Sequence, residues 1–269
     1  MRNFIITLFL LLATNASAQC PLENKAFSSG EFLSYNLYFN WKFVWVKVGT
    51  ASLSTVSTNY QGKSAFRTSL ITRSNGKLDN VYAIRDTLTG YVNTTLSPLY
   101  FRKGAREGDR YTVDEVWYSY PNGKCKVKMH RQKHDKTHER SEKTFDQCIF
   151  DMLNIFTRAR SYDPSTWKKG QTRKFTVADG NSSTQAILKY EGKANVEDEN
   201  RVKYRCLKLS YSEWSERRQK YKNFGNFFVT DDDNHVPIRL DVTLNVGVAK
   251  AYVTTMKGIK NPINCIVKK

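Results

Sequence analysis

Three of the four histidines, His130, His134 and His138, recur every four residues in the stretch MHRQKHDKTHERSEK. On a strand or a helix this spacing leaves the rings near one side, and imidazole is a common metal ligand. The Lys and Arg around them oppose a divalent cation, so the stretch reads as a solvated basic hairpin end and loop, with no metal expected. Asp231, Asp233 and His235 alternate in VTDDDNH, but the glycine and terminal glutamate of a calcium loop are missing. Asp and Asn cluster in turns because their side chains bond the local backbone, and a turn between two strands is the expectation there. Arg106 and Glu107 in RKGAREGDRY likewise read as turn charges forming an ion pair of small value. No G-x-S-x-G elbow, H-E-x-x-H helix, phosphate-binding glycine loop or dinucleotide fingerprint occurs. A non-enzymatic protein without a cofactor is therefore expected.

The aromatic residues are the more unusual feature: 15 Tyr, 15 Phe and 5 Trp. In GEFLSYNLYFNWKFVWVKVGTASL, residues 30–53, Leu33, Tyr35, Leu37, Phe39, Trp41, Phe43 and Trp45 occupy every odd position, whereas Ser34, Asn36, Tyr38, Asn40 and Lys42 are mostly polar. Alternation with period two predicts one strand of 13 residues, about 43 Å long at roughly 3.3 Å per residue. A strand of that length must twist, and the sheet holding it is expected to curl toward a barrel or half-barrel. The aromatic face is core if the sheet is closed and filled, and the wall of a lipid-sized cavity if it is open. Phe39, Trp41, Phe43 and Trp45 are accordingly candidate ligand-binding residues, with Lys124, Lys126 and Lys128 placed to meet an anionic headgroup. Further aromatics stand at Tyr82, Tyr100, Phe101, Trp117, Tyr118, Tyr120, Phe224, Phe227 and Phe228.

These residues must be held by strands. From residue 30 to about 143 strand follows strand, and DEVWYSY, the turn around Asn122-Gly123, then KCKVKMHRQ predict a β-hairpin. In TFDQCIFDMLNIFTRARSYDP the period changes: Phe145, Cys148, Ile149, Met152, Leu153 and Phe156 form one helical face. Thr144 and Gln147 resemble a capping box, and Asp163-Pro164 a stop, which predicts a helix near 145–160. Hairpins return afterwards, with turns near Asp179-Gly180 and Asp198-Asn200. Val48-Gly49-Thr50-Ala51 is echoed by Val246-Gly247-Val248-Ala249, glycines at which a long strand can bend. The expected fold is mainly β, a large curled antiparallel sheet with one packed α-helix.

The first 18 residues carry Arg2, the apolar run FIITLFLLLA and Ala16-Ser17-Ala18, the pattern of a cleaved signal peptide. Residues 19–269 then form a single all-β-type domain, expected in the periplasm or at the outer membrane, and no later stretch is long enough for a transmembrane helix. Loss of Arg2 takes the formal charge from +18 to +17. An exported basic protein meets lipid headgroups, lipopolysaccharide and acidic glycans rather than nucleic acid. None of the five cysteines lies in a C-x-x-C pair; Cys20 and Cys265, near the two ends of the mature chain, are the natural candidate staple.

Several stretches together resemble a known family: FSSGEFLSYNLYFNWKFVWVKVGTASL, GKLDNVYAIRDTLTGYV, LSPLYFRKGAREGDRY, DMLNIF and FVTDDDNHVPIRLDVTLNVGVAKAYV. In that order they are similar to the domain of unknown function 3108 family, with the Gly-Glu-x-Leu-x-Tyr start and the Pro237-to-Gly247 ending as the most recognisable parts. The resemblance implies an exported envelope protein of β character with no assigned activity and no catalytic residues. The arrangement also looks like the open half-barrels of periplasmic lipoprotein carriers, an architectural analogy without shared motifs. The expected function is binding of a lipid or other apolar ligand in a curved sheet. The alternative is a structural or adaptor protein that binds an envelope protein or an anionic glycan.

Overall fold

The computed structural model describes residues 20–41, 44–76, 79, 83–244 and 247–268, without the Trp41 side chain. The expected signal peptide, and Tyr82 and Phe43, lie outside the described residues. Fifteen strands form one sheet in the order β8-β7-β6-β5-β4-β3-β2-β1-β15-β14-β13-β12-β11-β10-β9. The first half comprises β1 (Glu31–Trp41), β2 (Val44–Tyr60), β3 (Lys63–Ser74), β4 (Ile84–Asn93), β5 (Pro98–Glu107), β6 (Arg110–Ser119), β7 (Cys125–Gln132) and β8 (His138–Phe145). The second comprises β9 (Ile149–Phe150), β10 (Thr172–Asp179), β11 (Ser182–Glu197), β12 (Lys203–Ser215), β13 (Lys220–Thr230), β14 (Pro237–Leu244) and β15 (Gly247–Lys257). First strand pairs with last, β1 with β15, at the middle of the row. The outermost strands, β8 and β9, follow each other in the chain, so the row curls into a nearly closed barrel.

The helix α1 (Met152–Ala159) lies between the halves and packs on β3, β4 and β5 of the first and β10 of the second. It buries Leu153, Asn154, Ile155 and Thr157. Gly90 of β4 permits the approach, because a Cβ there would run into the Asn154 Oδ1 atom. Inward-facing Leu33, Leu53, Leu88, Phe101, Val116 and Met129 pack with Leu153 in one core. The helix begins later than its spacing predicts: Phe145 pairs with Cys125 in β8, and Ile149–Phe150 pair in parallel with β10. The cap is Asp151 rather than Thr144, its side chain accepting from the Leu153 and Asn154 N–H groups.

The predicted strand through Trp45 is instead a tight hairpin. Trp41 pairs with Val44 and Asn40 with Trp45, so the chain has reversed direction between Trp41 and Val44. Gly49 behaves as its type suggests: a Cβ there would strike the Arg73 carbonyl oxygen, and the β1–β2 register slips beside it. The β6–β7 hairpin is as expected, with Asn122 and Gly123 at φ 52° and 72°. Asp232 turns the chain between β13 and β14 by accepting from the Asn234 N–H, 3.0 Å away.

The staple joins Cys20 to Cys148, not to Cys265, with Cα atoms 5.5 Å apart. The N-terminal segment runs past α1, where the Lys25 N–H bonds Ser161 Oγ, whereas the C-terminal segment lies along β12, pairing Ile266 with Tyr204. Cys125, Cys206 and Cys265 are buried thiols, and burial pushes the last two up to about 12.

Two polar anchors fix α1. Asp151 also accepts from Tyr118 Oη (2.9 Å) and Asn154 Nδ2 (2.6 Å). Beyond the helix end, the Arg160 guanidinium forks onto both Glu31 oxygens at 2.5 and 2.8 Å, with both side chains almost wholly buried. Arg160→Met strands the Glu31 carboxylate and is expected to cost about 3–5 kcal/mol, read by urea denaturation, with Glu31→Leu on top restoring part of it. Burial holds the Asp151 carboxyl up at about 6, against its hydrogen bonds and an ordinary 3.8. Its stabilising protonation is complete below pH about 4 and lost as pH rises through 6, on the order of 3 kcal/mol. Asp151→Asn keeps the capping oxygen, so its stability relative to the parent should rise between pH 4 and 7; a difference independent of pH would mean an ionised Asp151 in the fold.

Candidate functional site

Residues directly opposite each other in an antiparallel sheet share a face, and register places a line of such pairs across the outer side of the first half. Arg67 of β3 pairs with Tyr91 of β4, Tyr91 with Tyr100 of β5, Tyr100 with Trp117 of β6, and Trp117 with Lys128 of β7. The Tyr91 and Tyr100 centroids are 6.1 Å apart, Tyr100 and Trp117 5.5 Å, and Tyr60 at the end of β2 adds a ring 5.0 Å from Tyr91. The rings are half-buried and cover Ala65, which parity puts on this face yet which is 3% exposed. Four contiguous rings thus end in a basic residue on either side.

The next row is polar: Thr89, Arg102, Glu115, His130 and Arg140 pair in turn across β4 to β8. Tyr100 Oη donates to Glu115 Oε1 at 2.5 Å, and His130 Nδ1 lies 3.1 Å from Glu115 Oε2. His130 Nε2 meets His138 Nδ1 at 2.8 Å, and the two imidazoles stack with centroids 5.1 Å apart. Burial, then the bond to Glu115, holds the Tyr100 phenol above its ordinary range, so it stays a neutral donor. Both carboxylate oxygens are thereby engaged, and the bond to Glu115 fixes the orientation of the Tyr100 ring. Among the described residues no group of three His, Cys, Asp or Glu side chains is arranged to hold a metal ion.

The residues singled out in sequence fall in two places. Lys126 and Lys128 alternate with the buried Cys125, Val127 and Met129, so they lie on the outer face of β7, and Lys124 immediately precedes the strand. Lys128 extends the aromatic row; Lys126 and Lys128 reach Glu142 at 2.5 and 3.6 Å, and Lys124 reaches Asp146 at 2.9 Å. Phe39 lies on β1, separated from β7 by five strands in the sheet, on the face of buried Leu33 and Tyr35. Trp45, opposite Asn40, lies on the other face, 40% exposed beneath Lys250 Nζ at 4.3 Å. Phe39 and Trp45 therefore do not form one wall. One concavity is lined by Trp167, Arg173 and Tyr190 and another by Glu197, Lys203, Arg239 and Tyr252; neither of these includes the β1–β2 aromatics. Tyr60 and Tyr91 escaped notice in the sequence because the row joins one residue from each strand, and only register reveals it.

A family model described as a protein of unknown function (DUF3108) matches residues 34–254. The chain belongs to the DUF3108 family. The row from Arg67 to Lys128 lies wholly inside the matched segment. No curated protein matches this DUF3108 chain. Among solved structures, the β-barrel-like protein of domain of unknown function DUF1849 from Brucella abortus is similar, with TM-score 0.54 and 7% identity over 88% of this chain and 100% of that one. At such identity the likeness is one of fold. A protein of YmcC-like fold from Bacteroides fragilis aligns over the same shares, 88% and 100%, with TM-score 0.36 and 9% identity.

Proposed function

We propose that this DUF3108 protein is a non-enzymatic, exported protein of the cell envelope that binds an anionic glycan on the outer face of β2 to β8. The observation that carries the reading is the straight row Tyr91-Tyr100-Trp117 bounded by Arg67 and Lys128. Sugar rings turn C–H groups toward aromatic faces, and strands about 4.8 Å apart repeat those faces at close to the length of a pyranose. Acidic substituents would meet Arg67, Arg102, Lys126 and Lys128, while Glu115 keeps Tyr100 oriented. Export rests on the pattern Met1 to Ala18, and the basic balance of the chain suits an acidic partner. Shelter of a lipid between Phe39 and Trp45 draws less support, since they face opposite sides of the hairpin and α1 packs within the core.

Calorimetric titration of the purified protein with oligogalacturonate, alginate oligomers and neutral dextran tests the reading. Binding of an acidic oligomer is expected, at least tenfold weaker in Tyr100→Ala/Trp117→Ala titrated well below that variant's own melting temperature, a loss of about 1.4 kcal/mol or more. Lys128→Ala should lower affinity severalfold and reduce its salt dependence. Indifference to every acidic oligomer, or equal affinity of the double aromatic variant, would overturn it.

A further inference from the structure

Among the described residues nine large apolar side chains are exposed, and five of them, Val44, Trp45, Val46, Phe224 and Leu244, gather at the ends of three hairpins. These hairpins, β1–β2, β14–β15 and β12–β13, are neighbours in the sheet and point the same way. Register sets their level: Trp41 pairs with Val44, Phe39 with Ala249, and Leu244 with Gly247, so the first two turns end side by side. The third continues past them to the pair Ser215 and Lys220.

Val44, Trp45, Val46 and Lys47 are exposed one after another, which on a strand means that both faces of this hairpin end are uncovered. This Val-Trp-Val run at the end of the β1–β2 ladder lies outside the core clusters, and contiguous exposed apolar surface marks a contact site. The charges choose the partner. Lys47 and Lys250 flank the apolar tip, and the β12–β13 end carries Arg217, Arg218, Lys220 and Lys222 against Glu216. Lys250 Nζ lies over the Trp45 ring, and Lys222 Nζ lies 5.3 Å from the Phe224 centroid, so cations sit beside the apolar groups rather than apart from them. Lys47 is three residues from Val44, about 10 Å along an extended strand, which matches the roughly 5–10 Å that an interfacial segment sinks below the headgroups.

We infer that this rim docks on an anionic lipid bilayer, with Val44, Trp45, Val46 and Leu244 entering the headgroup–acyl boundary and the surrounding Lys and Arg engaging the headgroups. Trp45 occupies the level at which indole rings are favoured, between apolar tip and basic collar. The site is separate from the aromatic row, so neither proposal rests on the other.

The test is co-sedimentation of the purified protein with vesicles of phosphatidylcholine alone and with 30 mol% phosphatidylglycerol, combined with tryptophan quenching by bromine-labelled lipid. Binding to the anionic vesicles is expected, weakened by salt, with quenching that falls in Trp45→Phe. Val44→Asp/Val46→Asp alters only exposed side chains; it should keep the parental melting temperature and oligogalacturonate affinity while losing at least tenfold in vesicle partition. Arg217→Glu/Arg218→Glu should weaken binding to anionic vesicles and leave the neutral ones unchanged. Absence of vesicle binding by the parent, or undiminished binding by the valine variant, would overturn the inference. A parent that sediments as a dimer, made monomeric by the valine variant and blind to vesicles, would assign the rim to a second copy of this chain instead.

Discussion

The buried pair of Glu31 and Arg160 ties together parts of the chain that are 129 residues apart in sequence. Glu31 opens the seam strand β1, and Arg160 ends the helix that lies against both halves of the sheet. The same guanidinium donates to the Asn234 carbonyl oxygen between β13 and β14 at 3.0 Å, and His235 Nδ1 meets the Arg160 carbonyl oxygen. A buried ion pair adds little net stability over an apolar replacement, because desolvation offsets most of its attraction. Its value is geometric: a forked guanidinium is satisfied in one orientation only, which fixes α1 against the start of β1. With the helix fixed there, and Gly90 allowing it to touch β4, the core packs around Leu153.

On the outer surface the register decides what can act together. A slip of one residue between β5 and β6 would turn Trp117 inward and replace Glu115 by Asp114, which is bound to Arg131 at 2.6 Å on the other face. The inner packing of Phe101 with Val116 forbids that slip, so the hydrophobic core is also what aligns the outer aromatic row. Core and platform are two faces of a single constraint.

The period-two pattern was enough to read the β class, the curled sheet and the β6–β7 hairpin, because alternation and Asn-Gly turns act locally. The reversal between Trp41 and Val44 leaves no mark in the sequence, because Lys42-Phe43 continues the alternation and is not one of the usual turn pairs. The helix was overextended for a related reason: Phe145, Cys148 and Ile149 fall at helical spacing by coincidence, while their real partners lie on β7 and β10 or, for Cys148, at Cys20. Pairings at long separation, Cys20 with Cys148, Glu31 with Arg160, and each rung of the aromatic row, leave no local signal. Lysines stand out in a sequence by charge and tryptophans by size, but which of them share a face is a property of register.

The two surface features lie at opposite ends of the strands. Val44 and Tyr60 are the first and last residues of β2, 17 residues that span about 50 Å at roughly 3.3 Å per step. Tyr91 lies near the β4–β5 turn and Trp117 near the β6–β7 turn, both on the Tyr60 side, whereas the apolar hairpin ends stand on the Val44 side. Strand tilt in a barrel shortens this separation without removing it. A protein seated on a leaflet by its hairpin ends would therefore hold the aromatic row well beyond the headgroups, several Debye lengths from the surface charge at physiological ionic strength. At that distance the lysines and arginines beside the rings are not screened by the same lipids that hold the rim, and an acidic polymer could be engaged without competition from the membrane. The length of β2, which looks excessive for a strand that merely packs a core, is what separates the two surfaces.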